Sequence, residues 1–121
     1  MKASQLEDRL IQFSIDVIMM CKKIESGFAA EHLAKQLIRS ATSSALNYGE
    51  ARSAESNRDF SHKMKVCLKE LRECMVNMQI QKGAELVKEA GKLESLIREN
   101  NELISIFVAS IKTSASKIKD G

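Results

Sequence analysis

The chain has 121 residues, a formal net charge of +3, no proline, no tryptophan and three cysteines. That length makes one domain, able to bury about two-thirds of its unfolded surface without disulfide or metal staples. The charge is too small to define a nucleic-acid binder, no apolar run approaches the roughly 20 residues of a membrane span, and Cys21, Cys67 and Cys74, an odd set without C-x-x-C spacing, point to free thiols in a reducing cytoplasm.

Met1-Lys-Ala-Ser reads as the approach to a helix and not as a signal peptide. Ser4-Gln-Leu-Glu7 fits a capping box, and Leu6, Leu10, Phe13, Val17, Met20 and Ile24 then recur at helix pitch up to a left-handed stop at Gly27. Ile11, Ile15, Ile18 and Met19 form a second apolar stripe beside the first, wider than one seam needs, and are expected to be covered by another copy of the chain, the competing reading being that a tight four-helix core already covers them. A second helix from about residue 30 to 52 turns inward Ala34, Leu37 or Ile38, Ala41, Ser44 or Ala45, and Tyr48. Its seam is thin, so close backbone approach is expected, with hydroxyls of the Thr42–Ser44 run bonding back to carbonyls one turn earlier, and Gly49 predicts a bend or fraying from Gly49 to Ser53. Ser56-Asn-Arg-Asp59 is a second capping signal, after which Phe60, Met64, Cys67, Leu71, Cys74 and Met78 keep the same rhythm. This third helix either breaks near Gly83 or continues through a weak point there to about Ala90, and continuation is the favoured expectation. The fourth carries Leu93, Ile97, Asn100, Ile104, Phe107, Ile111, Ala115 and Ile118, and the tail from Lys117 to Gly121 is expected to fray. Four amphipathic segments, about 4–26, 30–52, 57–90 and 92–118, joined by short links, predict an all-α, up-down-up-down antiparallel four-helix bundle.

The stretch from Arg39 to Arg52 packs small and polar residues where a bundle normally places Leu and Ile. Ser43, Asn47 and Glu50 in a Ser-x-x-x-Asn-x-x-Glu run, followed by Arg52, Phe60 and Glu70, resemble the family of bacterial four-helix-bundle proteins encoded in intervening sequences of large-subunit (23S) ribosomal RNA genes, and the likeness spans nearly the whole chain. Where members often continue the acidic run with Gly-Phe or Gly-x-x-Arg, this chain has Ala51-Arg52, which points to a more helical turn after Glu50. The resemblance implies a left-handed four-helix bundle assembled as a ring-shaped homopentamer. It also implies kinship with accessory proteins of diversity-generating retroelements, which share the architecture and work with a reverse transcriptase and nucleic acid.

Ser43, Asn47 and Glu50 share a helix face and are expected to form, with Arg52 or Glu70, a polar network that fixes helix register or a subunit contact; the competing role is a ligand contact. Arg58, His62, Lys65, Lys69 and Arg72 step by four, three, four and three along the third helix, away from its apolar stripe, and Lys35, Arg39 and Arg52 extend the patch if the second helix packs alongside. Cations in a line of about 20 Å suit a phosphate backbone of RNA or DNA, whereas a merely solvated charged face is the plainer alternative. Di-iron bundles need paired Glu-x-x-His runs and this chain offers only Asp59-x-x-His62, Cys67 and Cys74 fall on the apolar stripe, and the glycines are too scattered for a phosphate-binding loop. No metal, cofactor or catalytic residue is expected. The sequence therefore predicts a non-enzymatic, homo-oligomeric binding or scaffold protein that contacts nucleic acid through the third helix. The alternative is a helical adaptor for another protein, such as a polymerase or ribonucleoprotein, without nucleic-acid contact.

Overall fold

The structure, a computed structural model, describes residues 1–120, with side chains through Ile118. Its elements are α1 (Ala3–Cys21), α2 (Phe28–Arg52), α3 (Asn57–Gly83) and α4 (Ala90–Asp120). Each packs on its chain neighbours, α1 closes sparsely on α4, and the described residues contain no strand. The cross-helix bonds show antiparallel neighbours. Between α2 and α3, Glu50 meets Lys63, Arg39 meets Glu70 and Leu33 meets Asn77, one index rising as the other falls. Asn100 to Leu71 and Ser114 to Asn57 set the same opposition between α3 and α4.

The core is the set of apolar stripes turned inward. Leu10, Val17, Leu37, Ala41, Cys67, Leu71, Cys74, Met78, Leu103 and Phe107 are completely buried. The α3 stripe behaves as its period requires and continues one turn beyond Met78 in a buried amide, Gln81. On α4 the inward line is Leu93, Leu96, Asn100, Leu103, Phe107 and Ser114. Ile97, Ile104 and Ile111 flank it half-buried, and Ala115 is exposed, so the anticipated seam holds at Leu93, Asn100 and Phe107 while Leu96 and Leu103 replace Ile97 and Ile104. On α2, Leu37, Ala41, Ser44 and Tyr48 are buried while Ala34, Ile38 and Ala45 are only partly so. Tyr48 meets Phe107 edge to face, centroids 5.6 Å apart.

Several boundaries differ from expectation. Helix α1 begins at Ala3, where the Gln5 side chain accepts from the Lys2 amide at 2.8 Å, a role expected of Glu7 in a box starting at Ser4. It ends at Cys21, because Gly27 caps the start of α2 instead of stopping α1. Helix α2 passes through Gly49 without interruption to Arg52, in line with the helical turn suggested by Ala51-Arg52. At Ser56 the hydroxyl accepts from the Asp59 amide as the capping signal requires. Helix α4 continues to Asp120, two residues beyond the anticipated end at Ile118; Gly121 lies outside the described residues.

The largest correction concerns α3, which stops at Gly83 and does not continue to Ala90. Its end is a Schellman turn: the Leu86 amide donates to the Gln81 carbonyl, the Glu85 amide to Lys82, and the left-handed position is Glu85 with φ 55°. Leu86 and Val87 then fold back, and Val87 packs on the core. The glycine that marks the weak point is thus two residues early, and a glutamate carries the backbone conformation that glycine adopts without strain. A Cβ at Gly83 would meet nothing within 4 Å. Gly83→Ala and Glu85→Gly are each expected to stabilise the fold by about 0.5–1 kcal/mol, read as a shifted urea midpoint at unchanged slope. A loss of stability in both variants would contradict this account of the turn.

Candidate functional site

The face with the densest functional chemistry is built by α2 and α3, and it exists because α2 is slender there. Ala41 is fully buried, Ser44 bonds back to the Ala41 carbonyl at 2.7 Å, and Ser14 of α1 reaches the same carbonyl at 3.1 Å. On the other flank Ser40 donates to Glu73 of α3 at 3.2 Å. Seated this deeply, α2 brings Arg39 within 3.1 Å of Glu70 and 2.9 Å of Glu73. Glu70 is only 6% exposed, so its carboxylate depends on that guanidinium. The nearby charge of Glu70, then the hydrogen bond to Glu73, pushes the Arg39 pKa above its ordinary value.

The expected polar network resolves into separate pieces. Asn47 donates to the Ser43 carbonyl and hydroxyl at 2.9 and 3.0 Å, within α2. Glu50 pairs with Lys63 at 2.8 Å, and Glu70 belongs to the Arg39 cluster. Helix spacing places Ser43, Asn47 and Glu50 on one face, but no hydrogen bond joins Asn47 to Glu50 or to Glu70 among the described residues. Arg52 bonds Glu7 of α1 at 2.6 Å and borders a separate hollow beside Tyr48 and Phe60, so it does not lengthen the basic patch.

Arg58, His62, Lys65, Lys69 and Arg72 are all exposed and take part in no ion pair among the described residues. Lys65, Lys69 and Arg72 border a groove of about 780 Å³ between α2 and α3, with His32 and Arg39 across it. Lys35 stands exposed one turn before Arg39. The basic set is therefore Lys65, Lys69 and Arg72 as unpaired cations, with Arg39 held by its acids. The sequence reading missed what continues it: Leu33 and Leu68 lie in the groove, and Val76 and Ile80, 56% and 49% exposed, prolong the α3 line. The signal was present in their spacing after Arg72, but neither falls on the inward apolar stripe of α3.

The other candidates occupy different surroundings. Ile11, Ile15 and Met19 are 44–45% exposed on α1, and Ile18 is half-buried. Cys67 and Cys74 are fully buried and Cys21 partly so; burial pushes the first two thiols up to about 12 and the third to about 11. Among the described residues no three His, Cys, Asp or Glu side chains converge to hold a metal ion. No helix among them is long and apolar enough to cross a membrane.

Three measurements follow from these surroundings. Arg39→Ala strands the buried Glu70 carboxylate and is expected to cost about 1–3 kcal/mol; in a Glu70→Gln background the same change should cost under about 1 kcal/mol. Equal losses in both backgrounds would mean that Arg39 does not neutralise Glu70. The folded chain also keeps thiol protons that the unfolded chain releases near its ordinary pKa of 9.0, so stability should fall as pH rises from there toward about 12. In native protein an aromatic disulfide reagent should modify Cys21 first, and Cys67 and Cys74 only on unfolding; fast modification of all three would refute it.

Comparison with known proteins agrees with this architecture. The solved structures include a protein of unknown function from the S23 ribosomal protein family of Bacteroides thetaiotaomicron. It is 26% identical, superposes with a TM-score of 0.79, and the match covers 93% of this chain and 99% of that one. No curated protein was found to match. The description 23S rRNA-intervening sequence protein matches residues 4–109, nearly the whole bundle, and the chain belongs to that family.

Proposed function

We propose that the protein is a non-enzymatic, homo-oligomeric scaffold that contacts nucleic acid through the α3 face. The observation that carries this reading is the alignment of unpaired cations along one exposed edge of the α2–α3 groove. Several cations of the bundle are matched to acids, as in Arg9 with Glu99, Arg52 with Glu7 and Lys63 with Glu50. Along α3, Lys65, Lys69 and Arg72, with Arg58 beyond them, stay unmatched on one exposed line. A polyanion gains there without breaking any existing pair, and release of its counterions drives the contact. Assembly multiplies the effect, since a ring repeats the line in every subunit. The exposed Ile11, Ile15 and Met19 supply an apolar surface for such assembly, and the resemblance to the family suggests five subunits. Three free thiols suit a reducing cytoplasm.

A second reading rests on Val76 and Ile80: exposed apolar side chains at the end of the basic line suit a helical protein partner, with no nucleic acid involved. Charge reversal separates the two. Binding of RNA or DNA by the native protein should weaken with salt, with a log–log slope of about −2 to −3 per engaged protomer for a single strand. Lys65→Glu with Lys69→Glu should abolish it while leaving the melting temperature within a few degrees. Absence of binding to any nucleic acid at low salt, with a protein partner retained by the charge-reversed variant, would establish the adaptor instead.

A further inference from the structure

The α2–α3 groove changes character along its length. On α3 a single line, Lys65, Lys69, Arg72, Val76 and Ile80, steps by four, three, four and four, cationic in its first part and apolar in its last. On the antiparallel α2, Phe28 stands one turn before His32, which lines the groove, and therefore on the same side of the helix. Its ring is 91% exposed, the most open of the large apolar side chains, and takes no part in the core. Helix spacing thus sets an aromatic group toward the apolar end of the groove.

Duplex nucleic acid offers a protein surface mainly phosphates, its base faces being stacked inside, and it would set charged backbone against Phe28, Val76 and Ile80. A single strand offers phosphates and free base faces together, and base–aromatic stacking with a basic track is how such strands are held. We infer that this face takes single-stranded nucleic acid: phosphates lie along Lys65, Lys69 and Arg72, and the bases that follow bed on Val76, Ile80 and the Phe28 ring. The inference rests on the nucleic-acid reading above and narrows its ligand class. From Lys65 to Ile80 the helix advances ~22 Å, room for about six stacked nucleotides.

The test measures fluorescence anisotropy of the full chain with a labelled 12-nucleotide oligouridylate, a labelled 12-base-pair RNA duplex, and inorganic polyphosphate as competitor. The single strand should bind about tenfold or more tighter than the duplex. Phe28→Ala, and Val76→Ser with Ile80→Ser, should weaken the single strand roughly five- to hundredfold while the salt slope and duplex affinity stay unchanged, because no charge is altered. All three positions are at least half solvent-exposed or nearly so, and melting temperature and sedimentation should be those of the native protein. Equal affinity for strand and duplex, or displacement of the strand by polyphosphate as effective as by unlabelled strand, overturns the inference and leaves the nucleic-acid reading standing. A variant that loses affinity together with a changed subunit number assigns the face to subunit contact and overturns it too. Retention of neither nucleic acid at low salt removes both.

Discussion

The close seating of α2 between α1 and α3 is the constraint on which the rest of this bundle depends. A helix lined by Leu would hold its neighbours further off. Here Ser40, Ala41 and Ser44 stand at the contact, so Ser14 of α1 touches the α2 backbone and Ser40 touches an α3 carboxylate. Serine tolerates this burial because each hydroxyl finds a carbonyl or carboxylate. The same closeness presses Arg39 against Glu70 and Glu73, and a carboxylate as deeply buried as Glu70 persists only with a cation of that kind beside it.

That cluster also decides what remains on the surface. Glu70 and Glu73, which follow Lys69 and Arg72 directly in sequence, are both committed to Arg39 across the groove. Lys65, Lys69 and Arg72 are left without counter-charges, although the chain as a whole is nearly balanced. A modest net charge thus conceals a concentrated one. Local arrangement, not the total, sets the potential that a polyanion meets at short range, since salt screens charges beyond about 10 Å.

The apolar surplus is divided in a comparable way. One part lies on α1 at Ile11, Ile15 and Met19. The other lies at the far end of the α2–α3 groove, at Val76 and Ile80, joined lengthwise to the basic line, with Phe28 one turn before the groove-lining His32. The first is a broad helical flank of aliphatic side chains, the chemistry of helix–helix association. The second combines an aromatic ring, two aliphatic groups and cations. The two surfaces are suited to different partners.

Much of this was legible in the chain. Recurrence of apolar residues at helix pitch determines four helices and their inward faces wherever the stripe is unambiguous, as on α1 and α3, because burial of a stripe is a local property of period and side-chain type. The cap at Ser56 and the exposure of the Arg58 to Arg72 line were readable for the same reason. Tertiary structure alone decided the α4 seam, where apolar residues on adjacent rotations compete and only the neighbouring helices select Leu96 and Leu103 over Ile97 and Ile104. It decided the end of α3, since the pull of Val87 into the core makes Glu85 accept a left-handed backbone. It also decided which charges are matched: Arg39 and Arg52 look equivalent in sequence, yet one faces α3 and the other α1. Pairing between residues dozens of positions apart depends on distances that only the packed bundle sets, and no spacing along the chain encodes them.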